Sequence, residues 1–171
     1  MTDANLTSND LKSFIDQNNL QAELIVLSVP TSSVEAAAEA VGVDPARIVK
    51  SLLFWVGPDP VLIVASGPTH VDHRLLAKHF GIGRKQIKLM PAGDVLEISG
   101  YPVGGVPPYG HNREIMTLMD ERILLEKEVF AGGGAENILM RVAPEEIRQV
   151  TQATLLDLHL ADLDRITDEP E

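Results

Sequence analysis

The chain has 171 residues, 44% of them hydrophobic but only 4% aromatic, which suits one domain with an aliphatic core and a frayed tail. It has no cysteine, which excludes a disulfide framework, a thiolate zinc site and a cysteine nucleophile, and is compatible with a reducing compartment. Acidic residues number 25 against 14 basic ones, a formal charge of −11 and the wrong balance for gripping duplex DNA by counterion release.

Residues 1–9 are polar, with no basic stretch leading into an apolar one, and no window reaches about 18 uninterrupted apolar residues. The expected location is the cytoplasm, with no membrane partner. Ser8 precedes an apolar series at Leu11, Phe14, Ile15 and Leu20, the spacing of an amphipathic helix. Residues 24–27 are a short apolar run ended by Pro30 and predict a strand. Ser32 followed by Glu35 is a capping-box pattern, and the alanine-rich segment after it ends at Gly42, giving a second helix. Asp44 and Pro45 suit the cap and first position of a single helical turn.

The runs 48–56 and 61–65, separated by Gly57, Pro58, Asp59 and Pro60, form the clearest hairpin. Asp72 caps a helix through Leu75, Leu76, Lys78 and Phe80, closed by Gly81. A short strand at 87–90 and a short helix at 91–99 lead into S-G-Y-P-V-G-G-V-P-P-Y-G at 99–110. With four glycines and three prolines, this segment propagates neither a helix nor a central strand, so it is a shaped loop. Beyond it, 114–119 and 129–131 read as strands, 132–134 as a tight flexible turn and 138–142 as another strand. Pro144, Glu145 and Glu146 open a last helix through Ile147 and Val150. No repeat or interdomain linker interrupts 1–171, and 157–171 is an acidic tail. Without regular βαβ alternation, the expected class is α+β, a mixed or mostly antiparallel sheet with helices packed outside.

Two features carry chemistry. By period two, Lys50 shares a strand face with Ile48, Leu52 and Phe54, so it sits at a strand end, in a cleft or in a pair. Gly104, Gly105 and Val106 can present main-chain N–H groups to a carbonyl or phosphate oxygen, the plain alternative being a surface turn. His70, His73, His79, His111 and His159 lack the spacing of a metal site, and no metal or cofactor is expected. There is no G-x-S-x-G nucleophile elbow, and Gly132, Gly133 and Gly134 do not open a helix as a phosphate loop does.

Five ordered motifs then match a family: K-S-L-L from Lys50, V-D-H-R-L-L-A-K from Val71, the glycine-to-proline loop from Gly100 to Gly110, L-M-D ending at Asp120, and A-G-G-G before a strand. Over about residues 22–152 the chain resembles the YbaK/ProX-like aminoacyl-tRNA editing domains, relatives of the insertion domain of bacterial prolyl-tRNA synthetase. The resemblance implies a mixed, strongly twisted, barrel-like sheet surrounded by helices. It also implies a free-standing, metal-independent deacylase of mischarged tRNA, most often tRNA(Pro) carrying a wrong small amino acid. Lys50 then lies in the pocket, and the loop from Gly104 through Pro108 frames the aminoacyl ester. Catalysis is expected from Lys50, Gly104, Gly105 and Val106, and substrate contacts from Lys50, Ser51, Tyr101, Pro108, Gly133 and Gly134. Where cysteinyl-tRNA-specific members carry an acidic residue after the glycine turn, this chain has Leu139, which argues against that specificity.

An ester is already activated, so main-chain N–H groups at 104–106 stabilising an oxyanion, with a water oriented by the substrate's 2′-hydroxyl, form a sufficient mechanism. His111, directly after the loop, is the first alternative base. The competing classes are a non-catalytic module holding a nucleotide or tRNA end, and a protein-interaction subunit; Lys50 together with the loop favours the enzyme. The expected partner is the acceptor end of mischarged tRNA, gripped weakly through a patch at Arg84, Lys85 and Lys88 and presented by prolyl-tRNA synthetase or an elongation factor.

Overall fold

The computed structural model describes residues 5–31 and 33–158. Ser32 and residues 159–171 of the acidic tail, including His159, lie outside the described residues. The first helix, α1 (Ser8–Gln17), begins where the Asp10 carboxylate accepts the Thr7 N–H at 2.7 Å, and it buries Leu11 and Ile15 one turn apart. Strand β1 (Glu23–Val26) follows. Helix α2 (Val34–Val41) is capped by Ser33, whose Oγ accepts the Ala36 N–H at 3.1 Å, and ends at Gly42 with φ of 69°. Pro45–Arg47 is the expected single turn, capped by Asp44.

The hairpin pairs β2 (Val49–Val56) with β3 (Asp59–Ser66) in antiparallel register, Lys50 opposite Ala65. Its turn is only Gly57 and Pro58, since Asp59 and Pro60 already belong to β3. Helix α3 (His73–Phe80), capped by Asp72, leads through the turn Arg84–Gln86 to β4 (Ile87–Leu89). After α4 (Ala92–Ser99) comes the long loop, then β5 (Met116–Asp120), the turn Glu121–Leu125, β6 (Val129–Ala135), β7 (Ile138–Val142), α5 (Pro144–Thr151) and β8 (Thr154–Leu156).

The class is α+β. One sheet is mixed, in the order β4-β2-β3-β5-β8, with β3–β5 and β5–β8 parallel; the other, β1-β7-β6, is antiparallel. A parallel bridge from Ile48 to Phe130 joins them, and among the described residues they do not close into a barrel. Strand β3 explains its own unbroken apolar run: Leu62 and Val64 enter the main core with Leu11 and Ile15, while Val61, Ile63 and Ala65 face Leu76 and Ala77 of α3. Covered on both faces, it needs no polar alternation. A third cluster, Ala37, Ala38, Ile48, Phe130 and Leu139, lies where α2 packs on the three-stranded sheet.

Gly132, Gly133 and Gly134 are not a turn. They are strand residues of β6 at a register shift between Gly132 and Ala135, and the reversal comes after them. The reason is close backbone approach. A Cβ on Gly132 would lie 2.3 Å from the Val106 carbonyl oxygen, and one on Gly105 would lie 2.8 Å from the Ala135 nitrogen. Among the described residues no helix is long and apolar enough to cross a membrane.

Candidate functional site

The loop between α4 and β5 is held at several points by its own polar groups. Tyr101, fully buried, donates its hydroxyl to the Gly110 carbonyl at 3.1 Å. His111 uses Nε2 as a donor to the Pro107 carbonyl at 2.7 Å, and its half-buried ring meets Tyr101 edge-on. Burial pushes the His111 pKa down while the Pro107 carbonyl pulls it up. The Tyr109 hydroxyl donates to Glu146 at 2.9 Å, and that carboxylate also accepts the N–H groups of Gln21 and Ala22. Burial raises the pKa of both tyrosines well above the phenol range.

The tip of the loop docks on the glycine strand, where the Gly134 N–H donates to the Gly105 carbonyl at 2.8 Å. The Gly105 N–H donates back to the Pro102 carbonyl at 3.0 Å, whereas the N–H groups of Gly104 and Val106 have no acceptor among the described residues. Gly104 has φ of 91°, is exposed, and overlooks a cavity of about 130 Å³.

The cavity lies over the third apolar cluster. Its buried lining comes from Ala37 of α2, Ile48 and Val49 at the entry to β2, Phe130 and Ala131 of β6 and Leu139 of β7. Val34, Gly132 and, on the open side, Thr31, Ser33 and Gly104 complete it. The Thr31 hydroxyl and N–H both donate to the Glu136 carbonyl, which pins the β6–β7 turn beside the Gly104 loop.

Lys50 follows Val49, half-buried, on the face it shares with Leu52 and Phe54. It has no carboxylate within 4.0 Å among the described residues. Burial holds its pKa below the usual lysine value, opposed by Glu35 on α2. The fold brings Gly104 to the rim of the cavity and Ile48 and Val49 into its lining, and leaves Lys50, next after Val49, outside that lining. It does not bring Ser51 there: that hydroxyl is buried on the other face of β2 with no hydrogen-bond partner. Tyr101 and Pro108 are buried within the loop, and Gly133 and Gly134 pack against Ile138 and Ser8. The α2 contribution, Val34 and Ala37, went unnoticed in the sequence, although an alanine-rich helix face is a signal for space left against a sheet. Among the described residues no three His, Asp or Glu side chains gather as a metal site requires.

A model of the aminoacyl-tRNA editing domain matches residues 28–150, which include the cavity, Lys50 and the whole loop. The chain belongs to the aminoacyl-tRNA editing domain family. It is 28% identical over 145 residues to the uncharacterized protein YwhH of Bacillus subtilis (strain 168), covering 84% of this chain and 90% of that one. It is 28% identical over 128 residues to the "Putative Cys-tRNA(Pro)/Cys-tRNA(Cys) deacylase EbsC" of Enterococcus faecalis, covering 74% of this chain and 76% of the relative. A proline–tRNA ligase of Desulfotalea psychrophila matches at 24% over 157 residues, and there this editing domain corresponds to 27% of the ligase. Among solved structures, one titled "Crystal structure of a putative trans-editing enzyme for prolyl tRNA synthetase" superposes with a TM-score of 0.82 at 29% identity, covering 89% of this chain and 96% of that one.

Proposed function

We propose that this editing domain is a trans-acting ester hydrolase that removes a wrong small amino acid from mischarged tRNA, tRNA(Pro) first among the candidates. The observation that carries the proposal is a loop N–H without an acceptor at Gly104, on the rim of a cavity whose lining residues Ile48 and Val49 lead directly into a lysine without an ion-pair partner. In this reading Lys50 holds the terminal phosphate or ribose, and the Gly104 and Val106 N–H groups receive the carbonyl oxygen as it becomes negative. Gly105 holds the loop, since its N–H and carbonyl are both engaged. Water adds to the ester carbon, the bond to the ribose oxygen breaks, and the ribose oxygen takes a proton. The substrate's 2′-hydroxyl orients that water. A single preorganised donor of this kind is worth on the order of 3 kcal/mol of barrier. Prolyl-tRNA synthetase or an elongation factor is the proposed presenter of the acylated end, the chain's own charge being opposed to RNA.

The test is deacylation of a panel of mischarged tRNAs by the wild type and Lys50→Ala, with melting temperature measured on the same preparations. The expected result is hydrolysis by the wild type, and loss of most of it in a variant that still melts like the wild type. A fully active Lys50→Ala would remove the lysine from the site. A wild type that binds acylated tRNA without cleaving any would leave only the non-catalytic module.

A further inference from the structure

We infer that Glu146, in the first turn of α5, is a positioning residue for the reaction: its carboxylate holds Tyr109 and thereby aims the loop N–H groups at the ester. This rests on the reading of the Gly104 and Val106 N–H groups as donors to the developing oxyanion. Three donors converge on the half-buried carboxylate. Oε1 accepts the Tyr109 hydroxyl at 2.9 Å and the Ala22 N–H at 3.2 Å, and Oε2 accepts the Gln21 N–H at 2.8 Å. Two of the three are backbone groups of the connection between α1 and β1, so the end of the loop is tied to a part of the fold that does not line the cavity. A carboxylate accepts at both oxygens and serves all three donors, whereas an amide in its place would turn an NH2 toward at least one of them.

The chain between the tether and the donors is stiff. Pro107 and Pro108 separate Tyr109 from Val106. Each proline has its φ fixed, and each restricts the residue before it to extended backbone, so Val106 and Pro107 are confined as well. A shift at Tyr109 is therefore carried to Val106 with little absorbed on the way. His111, through Nε2 on the Pro107 carbonyl, locks this stretch from within the loop, and Glu146 fixes it to the rest of the molecule. The Tyr109 ring is itself buried against Phe14, so deleting the hydroxyl leaves the ring in place and removes the tether alone.

The experiment compares the wild type, Tyr109→Phe, Glu146→Gln and the double variant in kcat and KM on mischarged tRNA, in melting temperature and in amide hydrogen exchange. Misplacing a reacting group by about 1 Å costs on the order of 100-fold, so Tyr109→Phe is expected to lose about 10-fold or more in kcat while KM stays within about 2-fold. The double variant is expected to lose no more than Glu146→Gln alone, because hydroxyl and carboxylate act through one bond. The Gly105 and Gly134 amides, which carry the bonds that dock the loop, are expected to exchange faster in Tyr109→Phe, and those of the β2–β3 ladder to exchange as before. Should Glu146→Gln fail to fold, Tyr109→Phe carries the test by itself. An unchanged kcat in Tyr109→Phe overturns the inference, and so does exchange at Gly105 and Gly134 that stays as in the wild type or quickens no more than in the ladder. If the wild type cleaves none of the tRNAs, the deacylase reading falls and exchange alone decides: selective quickening at those two amides supports the tether, and its absence removes it.

Discussion

Burial works against the charge on Lys50. The protonated form is the one penalised, so below its lowered pKa the ammonium destabilises the fold, and the penalty fades as pH rises from that value to the ordinary lysine value of 10.5. Lys50→Met is therefore expected to melt no lower than the wild type at pH 7 while losing deacylation. The same shift sets a kinetic signature. If the charge holds substrate, kcat/KM corrected for spontaneous hydrolysis falls on the alkaline side at a pH below 10.5, the ordinary lysine value, and Lys50→Arg moves that limb upward because the guanidinium stays charged. A flat alkaline profile would deny the charge a role. The Nε2 proton of His111 is committed to the Pro107 carbonyl, which fixes the tautomer and leaves Nδ1 as the nitrogen a base would use. The placement of Lys50 near the start of β2, on the face of Leu52 and Phe54, was legible from alternation alone. The commitment of His111 was not, because its acceptor is fixed only once the loop closes on itself.

The glycine-to-proline loop and β6 interlock through backbone, and that is why glycines there are irreplaceable in a way those on helix surfaces are not. Gly132→Ala would drive a methyl to 2.3 Å from the Val106 carbonyl oxygen, and overpacking of this kind costs about 1–3 kcal/mol. Activity should fall with it, since Val106 lies in the proposed donor pair. Gly93→Ala is the control: exposed in α4 with nothing within 4 Å, it should stabilise by about 0.5–1 kcal/mol. Equal melting temperatures for the two variants would refute the interlock. Most helices and strands could be read from caps and alternation: Asp72 and Gly81 bracket α3 as expected, and the 48–56 run pairs with the one after it. Residues 132–134 were read as a turn because local propensity treats a glycine triplet as slack, whereas tertiary contact makes it a seam. Strand β8, three residues on a parallel edge, carries too little alternation to announce itself, and the cavity depends on how α2 settles on β6 and β7.

Over the whole molecule the acid excess hides a local inversion. Lys12, Arg47, Arg74, Arg122, Arg141 and Arg148 each have a carboxylate within 4.0 Å. Lys78, Arg84, Lys85 and Lys88 have none among the described residues; the first three lie on α3 and the Arg84–Gln86 turn packed against it, and Lys88 follows in β4 beside Trp55, on the sheet face away from α3. That surface is the expected contact for acceptor-strand phosphates. Affinity for tRNA should fall with salt along a shallow slope, and neutralising Arg84, Lys85 and Lys88 should reduce it by about 2–3, given roughly 0.7–0.9 per phosphate released. An unchanged slope in a titration of that triple variant would put the RNA on another face.

Helix α1 lies outside the matched stretch of 28–150, yet it is braced against the loop and the glycine strand. The Leu6 N–H donates to the Gly100 carbonyl at 2.8 Å, Phe14 rests on Tyr109 with ring centroids 5.5 Å apart, and Ser8 sits where a Gly134 side chain would go. The recognisable signature and the mechanical unit therefore have different borders. A domain trimmed to the signature would retain every residue assigned here to chemistry and lose the buttress that keeps the loop in shape, so boundary choice when such domains are excised or fused is a matter of catalysis as well as solubility.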